Sequence, residues 1–306
     1  MRTRYPIDRS FGVFSRVSPP FGRGTFALAR AALSLVKKGS RGVSVRRVTI
    51  AGKVPVRAFL ISPKGERGRL PCLVYFHGGG FVFKAARYHY RNAAAYARTG
   101  CRVLFVDYRL APNYPCPAPN EDCFAAYAWA AEHAAELAVD PARLAVGGDS
   151  AGGCLAADVV FRAHRAGLPA PRFLLLVYPV LDRRMQTQSM QAFSDTPMWN
   201  ARLNKKMWQY YLADGQYCSP VEEADVSFFP PTYLETAQFD CLHDEGVIFA
   251  GKLREQHVPV TLRETVGTMH GYDIVRKSRV TQESVMARCA ALKAALGTRS
   301  DQSRQK

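Results

Sequence analysis

The pentapeptide Gly148-Asp149-Ser150-Ala151-Gly152 constrains this chain more than any other stretch. It stands where the apolar run Leu144-Ala145-Val146 gives way to the small and apolar residues of 154–166, so it reads as a turn from a buried strand into a helix. A turn this short brings strand and helix into contact, and glycines two places before and two after Ser150 remove the Cβ atoms that would prevent it. The serine between them takes a strained backbone conformation with its hydroxyl presented. Ser150 is the leading nucleophile candidate.

Upstream, His77-Gly78-Gly79-Gly80 directly follows the apolar run Leu73-Val74-Tyr75-Phe76. Three successive glycines after a strand expose backbone N–H groups, and amides fixed on a developing oxyanion contribute about 3 kcal/mol to acyl transfer. The amides of Gly78, Gly79 and Gly80, with that of Ala151, are the expected oxyanion hole, the alternative being a plain flexible turn. His77 reads as a residue that orders the loop by hydrogen bonding.

A serine hydroxyl needs a base to take its proton, and the base needs an acid to fix its tautomer. Of seven histidines, only His257 and His270 lie beyond the helix start at Asp244-Glu245 that follows the last strand able to carry the acid. His257 ends a charged helical run and reads as exposed. His270 lies in Gly267-Thr268-Met269-His270-Gly271-Tyr272, a loop after the strand-like 260–266, and is the base candidate. The strand-like 231–239 ends at Asp240, the acid candidate, whereas Asp244 suits a cap on the following helix and Asp182 is the second choice of acid. The order Ser, Asp, His along the chain is that of α/β-hydrolases.

Around these segments, strand-like runs near 43–50, 54–61, 70–77, 101–107, 143–148, 172–180, 231–239 and 260–266 alternate with helical stretches near 89–99, 121–137, 151–166, 244–257 and 280–296. That pattern predicts an α/β fold with eight strands, mostly parallel, helices on both faces and an antiparallel start from the first two strands. An apolar content of 48% is ample for a sheet buried on both sides.

Taken in order, the segments resemble the hormone-sensitive-lipase-like family of α/β-hydrolase carboxylesterases, in its bacterial branch carrying Gly-Asp-Ser-Ala-Gly-Gly. The resemblance covers roughly residues 43–297 and rests on His77-Gly78-Gly79-Gly80-Phe81, Val106-Asp107-Tyr108-Arg109-Leu110-Ala111-Pro112, Asp140-Pro141-Ala142-Arg143 leading into the Ser150 turn, and Met269-His270-Gly271. It implies the α/β-hydrolase fold and maps the family's triad onto Ser150, Asp240 and His270. Two departures bear on substrate preference: Cys241 stands where the family usually has proline, and Tyr272 where it usually has phenylalanine.

The resemblance also implies a helical cap, built here from residues 1–42 and an insertion at 183–217, over core segments 43–182 and 218–297, with a polar disordered tail at 298–306. The insertion holds Met185, Met190, Met198 and Met207, four of the seven methionines, and both Trp199 and Trp208. Adaptable methionine and bulky tryptophan suit an apolar wall over Ser150, or the contact joining cap to core. Phe81, Met198, Trp199 and Trp208 are the pocket candidates.

The net charge is +17, and residues 1–50 carry eleven Arg or Lys against one acid, Asp8. In the same segment Phe26, Leu28, Ala31, Ala32, Leu33, Leu35 and Val36 form an apolar stripe, expected to pack over the substrate entrance with the arginines solvated. Contact with an anionic membrane surface or nucleic acid is the alternative. No apolar run reaches the roughly 18 residues of a membrane span, and 26–36 is interrupted by Arg30 with no cleavage signal, so a cytoplasmic protein is expected. The eight cysteines lack metal or disulfide spacing, Cys241 and His243 being too few, and no nucleotide fingerprint is present. The expectation is a cofactor-free, metal-free serine carboxylesterase, monomer or homodimer, taking small short-acyl esters and no nucleic acid. A deacetylase of an acylated sugar or other metabolite, or an amidase, would use the same machinery. A non-catalytic hydrolase-fold binding protein is disfavoured by the presence of His270.

Overall fold

The computed structural model describes residues 4–213 and 215–298. Most of the expected polar tail, 299–306, lies outside the described residues. Eight strands form one sheet: β1 (Val43–Ile50), β2 (Val56–Pro63), β3 (Leu70–Phe76), β4 (Arg102–Asp107), β5 (Val139–Asp149), β6 (Leu174–Val177), β7 (Thr232–Phe239) and β8 (Val260–Met269). Their spatial order is β1-β2-β4-β3-β5-β6-β7-β8, with β2 antiparallel to both neighbours and every other pair parallel. The helices are α1 (Arg23–Ser34), α2 (Arg87–Ala97), α3 (Ala118–Glu132), α4 (Ala151–Arg165), α5 (Gln188–Ala192), α6 (Ala201–Leu212), α7 (His243–Glu255) and α8 (Arg279–Leu296).

The apolar run of β3 has no polar face because both of its faces are covered. Val74 and Phe76 join Leu104, Val106 and Val146 in the core layer that includes α3 and α4, while Leu73 and Tyr75 join Val103, Phe105 and Ala145 in the layer that includes α2 and α8. The period of two along each strand sorts its residues between these layers. Each Val or Leu buried this way contributes about 2 kcal/mol, so a charge placed at Val74 or Ala145 would disrupt the centre of the sheet.

Strand β8 runs to Met269, three residues past the expected end, because after Thr265 it bulges, 266–268 standing opposite Gln238 alone, and then pairs with β7 again. Phe239 pairs with Met269 as a result. Asp240 and His270, the next residue on each strand, therefore emerge side by side.

The stripe on α1 is only partly buried. Phe26 inserts among Phe21, Phe83 and Tyr210, and Leu33 and Val36 are half-covered, but Leu28 is 77% and Leu35 is 88% exposed. The aromatic pocket accepts one side chain, and the next turn of the helix presents Arg30, whose guanidinium donates to the carbonyls of Val82 and Ala111. The N-terminal segment meets the insertion directly: the Met198 amide donates to Val17 O at 2.8 Å, and Phe21 packs on Trp199 with centroids 5.2 Å apart. Among the described residues no helix is long and apolar enough to cross a membrane.

Candidate active site

Strand β5 ends at Asp149, helix α4 begins at Ala151, and Ser150 between them has φ 54°, ψ −122°. The glycines that frame it leave no room for a Cβ. One at Gly148 would lie 2.2 Å from Gly152 O, and one at Gly152 would lie 2.0 Å from Phe76 O. The backbone of β3 thus presses on the turn, which holds the serine in its left-handed conformation.

His270 Nε2 lies 2.8 Å from Ser150 Oγ, and His270 Nδ1 lies 2.6 Å from Asp240 Oδ2. The other Asp240 oxygen accepts the Leu242 amide at 3.0 Å, so the carboxylate is oriented before it meets the imidazole. All three side chains are buried, Ser150 being 5% and His270 7% exposed. Asp182 lies elsewhere, its carboxylate taken by Arg184. His257 is exposed at the end of α7. Asp244, expected as a helix cap, instead accepts the Ser189 amide at 2.7 Å and so ties α5 to the start of α7. The cap position itself falls on Leu242, two residues earlier, and Asp244 lies in the first turn of α7.

The glycine loop lies against the serine: a Cβ on Gly78 would be 3.1 Å from Ser150 Cβ. Gly79 and Gly80 have φ of 121° and 58°, which turns their amides away from the strand direction. Among the described residues the amides of Gly78, Gly79, Gly80 and Ala151 donate to no protein acceptor. Such free donors beside a nucleophile can receive an oxyanion. His77 orders this loop as expected from its position, with Nδ1 2.7 Å from Gly78 O and its ring stacked on Tyr108 at 4.6 Å. Burial, with the neighbouring His89, pushes its pKa down to about 4.

The four pocket candidates separate. Trp199 reaches the site, its ring centroid 6.0 Å from that of His270 and its edge over Gly80, where Met207 and Phe21 also converge. Phe81 and Trp208 pack with Tyr211 instead, Phe81 stacking on it at 3.8 Å. Met198 packs with the core layer of α2 and α8.

Three neighbours of the triad were not foreseen from the sequence. The Tyr178 ring sits 4.8 Å from His270, edge-on, with a backbone φ of 34°. Asp149 is held by Tyr75 OH at 2.6 Å and faces His89 Nε2 at 3.0 Å; burial opposes its charge, but His89, Tyr75 and His77 outweigh burial and keep its carboxyl below the ordinary value. Behind the His270 turn, fully buried Arg288 of α8 bonds Glu235 of β7 and Asp273, while Asn92 donates to Asp273 at 2.8 Å. The hydroxyl that distinguishes Tyr272 from phenylalanine donates to Glu235 in the same cluster. Only the Tyr272 departure hinted at this cluster, since a buried phenol requires a partner. No group of three or more His, Cys, Asp or Glu among the described residues could hold a metal ion.

Comparison with known proteins gives the family of this fold. The carboxylic ester hydrolase LipN of Mycobacterium tuberculosis is 38% identical over 238 residues, which cover 72% of this chain and 61% of LipN. The carboxylesterase NlhH of the same species is 36% identical over 229 residues, covering 72% of this chain and 71% of NlhH. The chain thus spans about six tenths of LipN's length. Among solved structures, a bacterial heroin esterase superposes with a TM-score of 0.85 at 33% identity, covering 96% of this chain and 99% of the other. Esterase LipW from Mycobacterium marinum gives 0.89 at 28% identity, with 95% and 96% covered. The α/β-hydrolase-fold family Abhydrolase_3 matches residues 73–274. With that match, this sheet and these relatives, the chain belongs to the α/β-hydrolase-fold family, in its hormone-sensitive-lipase-like branch.

Proposed function

We propose that this protein is a serine carboxylesterase that hydrolyses small, short-acyl esters through an acyl-enzyme. The observation that carries the reading is the continuous line Asp240–His270–Ser150, with contacts of 2.6 and 2.8 Å, ending beside free glycine amides. Ser150 Oγ attacks the ester carbonyl as His270 Nε2 takes its proton. Asp240 keeps the imidazole proton on Nδ1 and offsets the cation that forms. The amides of Gly78, Gly79, Gly80 and Ala151 receive the oxyanion. The intermediate collapses as His270 protonates the leaving alcohol, and the same nitrogen then draws a proton from water to release the acid.

Residues 1–42 with 183–217 act as a cap in this reading. Trp199, Phe21 and Met207 over Gly80 make a roof close to the nucleophile, which favours short acyl groups. Each methylene that fits adds about 0.8 kcal/mol, and the gain reverses once the chain meets the roof. Turnover of p-nitrophenyl esters from acetyl to dodecanoyl tests this, with a maximum expected at about two to six acyl carbons. Ser150→Ala should lose roughly 10⁴-fold or more in kcat. No hydrolysis of any ester by the wild type would sink the proposal, and a tenth of the activity surviving in the variant would remove Ser150 from its role.

A further inference from the structure

Away from the catalytic serine, the surface next to α1 carries an unusual concentration of charge. Lys37, Arg41, Arg87, Arg91, Arg98 and Arg276 line a cleft of about 720 Å³, and among the described residues no carboxylate lines it. Elsewhere arginines are neutralised by partners, as in Arg109–Asp122, Arg162–Asp158 and Arg183–Glu222. Here two of the six are aimed by backbone carbonyls instead: Arg91 donates to Asp273 O at 2.6 Å and Arg98 to Arg41 O at 3.1 Å. A second hollow of about 320 Å³ shares Tyr90 with the first and adds Lys38, Arg47, Arg57 and Lys84 against one acid, Asp107. Residues 9–65 contain twelve Arg or Lys and no Asp or Glu.

The second observation is independent of charge. Ala27, Leu28, Ala31, Ala32 and Leu35 recur at helical spacing along α1 and are all exposed, leaving an apolar strip without a partner. The strip ends at the basic hollows: Leu33 and Ser34, beside Leu35 in the chain, line the smaller one and Lys37 the larger. A soluble polyanion would use the cations and leave the leucines idle. Single-stranded nucleic acid would call for exposed rings to stack on, yet the aromatics lining the hollows, Tyr90 and Phe59, are only 5% and 7% exposed. An anionic bilayer uses both features, taking apolar side chains at the acyl boundary and cations at the phosphates.

We propose that α1 and the adjoining basic face dock this protein on an anionic phospholipid surface, with Leu28 and Leu35 entering the headgroup boundary and the cleft cations holding lipid phosphates. Because Phe26 on the other side of α1 packs against Phe21 and Tyr210, docking brings the cap to the lipid boundary.

Co-sedimentation of the full chain with phosphatidylcholine vesicles, with and without phosphatidylglycerol, tests the proposal. Binding is expected only to the anionic vesicles and is lost at high salt, as screening shortens the reach of the cations. Each basic residue at such a surface strengthens binding about fivefold, so Arg41→Glu with Arg87→Glu should weaken it by about 25-fold or more. Leu28→Asp with Leu35→Asp should weaken it at least tenfold. Leu28, Leu35 and Arg41 lie on the cap segment, but they and Arg87 are exposed and none joins Phe21, Trp199 and Met207 over Gly80, so p-nitrophenyl acetate turnover without lipid and the melting temperature should stay at wild-type values, which separates this test from that of the esterase reading. The proposal is overturned if the wild type ignores phosphatidylglycerol vesicles at low salt, or if the leucine variant binds them as the wild type does. It is equally overturned if inorganic tripolyphosphate or duplex DNA is bound while the vesicles are not.

Discussion

Asp240→Asn exchanges one carboxylate oxygen for an NH₂ in a site that dictates which atom faces His270. The Leu242 amide donates to Oδ1 at 3.0 Å, so the oxygen of the asparagine is held there and its NH₂ takes the position 2.6 Å from His270 Nδ1. A donor facing Nδ1 requires a lone pair on that nitrogen, which moves the ring proton to Nε2, 2.8 Å from Ser150 Oγ. The base then offers a proton where it must accept one. Loss of the working tautomer in a triad lowers kcat by about 10⁴-fold, equivalent to about 5.5 kcal/mol of barrier. Steady-state turnover of p-nitrophenyl acetate measures this, and thermal melting verifies that the isosteric variant stays folded. Asp182→Asn is the matched control. Asp182 is buried and also accepts the Arg184 amide, so this change lowers stability, but it leaves kcat of the folded enzyme unchanged. An Asp240→Asn enzyme within tenfold of wild type, or an Asp182→Asn enzyme that is the more damaged, would refute the assignment of the acid.

Gly148→Ala puts a methyl 2.2 Å from Gly152 O, so the serine turn must shift; kcat should fall on the order of 10²-fold, and wild-type kinetics would show that the turn tolerates the displacement. Arg288→Met leaves Glu235 and Asp273 buried without their counter-charge, at a cost of about 3–5 kcal/mol and a melting temperature about 10 °C lower, measured by calorimetry. A loss of less than about 1 kcal/mol would mean the two acids are neutralised by protonation. His77 gives a pH dependence of stability. Burial and His89 push its folded pKa down to about 4, whereas the unfolded side chain titrates near 6.5. As pH falls between those values only the unfolded chain takes the proton, so stability is lost across that window, by up to about 3 kcal/mol, and is intact above it. His77→Asn should flatten the denaturation midpoint over the same range, and a variant that tracks the wild type would discount the histidine.

The readable parts of this chain were those fixed by local geometry. Close approach of backbone demands glycine, so Gly148 and Gly152 announced the serine turn, and double coverage demands unbroken apolar runs, so Leu73 to Phe76 announced a central strand. Sequence order then placed Asp240 and His270 at strand ends. What escaped depended on partners far along the chain. Strand β8 reaches Met269 through a bulge in which its residues 266–268 stand opposite the single Gln238 of β7. The resemblance implies a helical cap, but the sequence alone does not place α5 and α6 within the insertion, and Trp199 cannot be told from Trp208 because both are aromatic and both buried. Only the fold sets one over Gly80 and the other beside Tyr211. The sequence could not divide the stripe on α1 between its packed and exposed residues, since an apolar residue with nothing to cover it looks the same in sequence as one in the core.

The placement of Arg288 has a consequence for how the protein comes into being. Ser150, Asp240 and His270 are all synthesised before α8, yet the turn that carries His270 is flanked by Glu235 and Asp273, two interior acids whose shared cation arrives only with that helix. A nascent chain that has already made every group of the triad still has like charges facing each other behind the imidazole. The fold around His270 is therefore complete only once α8 has docked and brought Arg288 between Glu235 and Asp273.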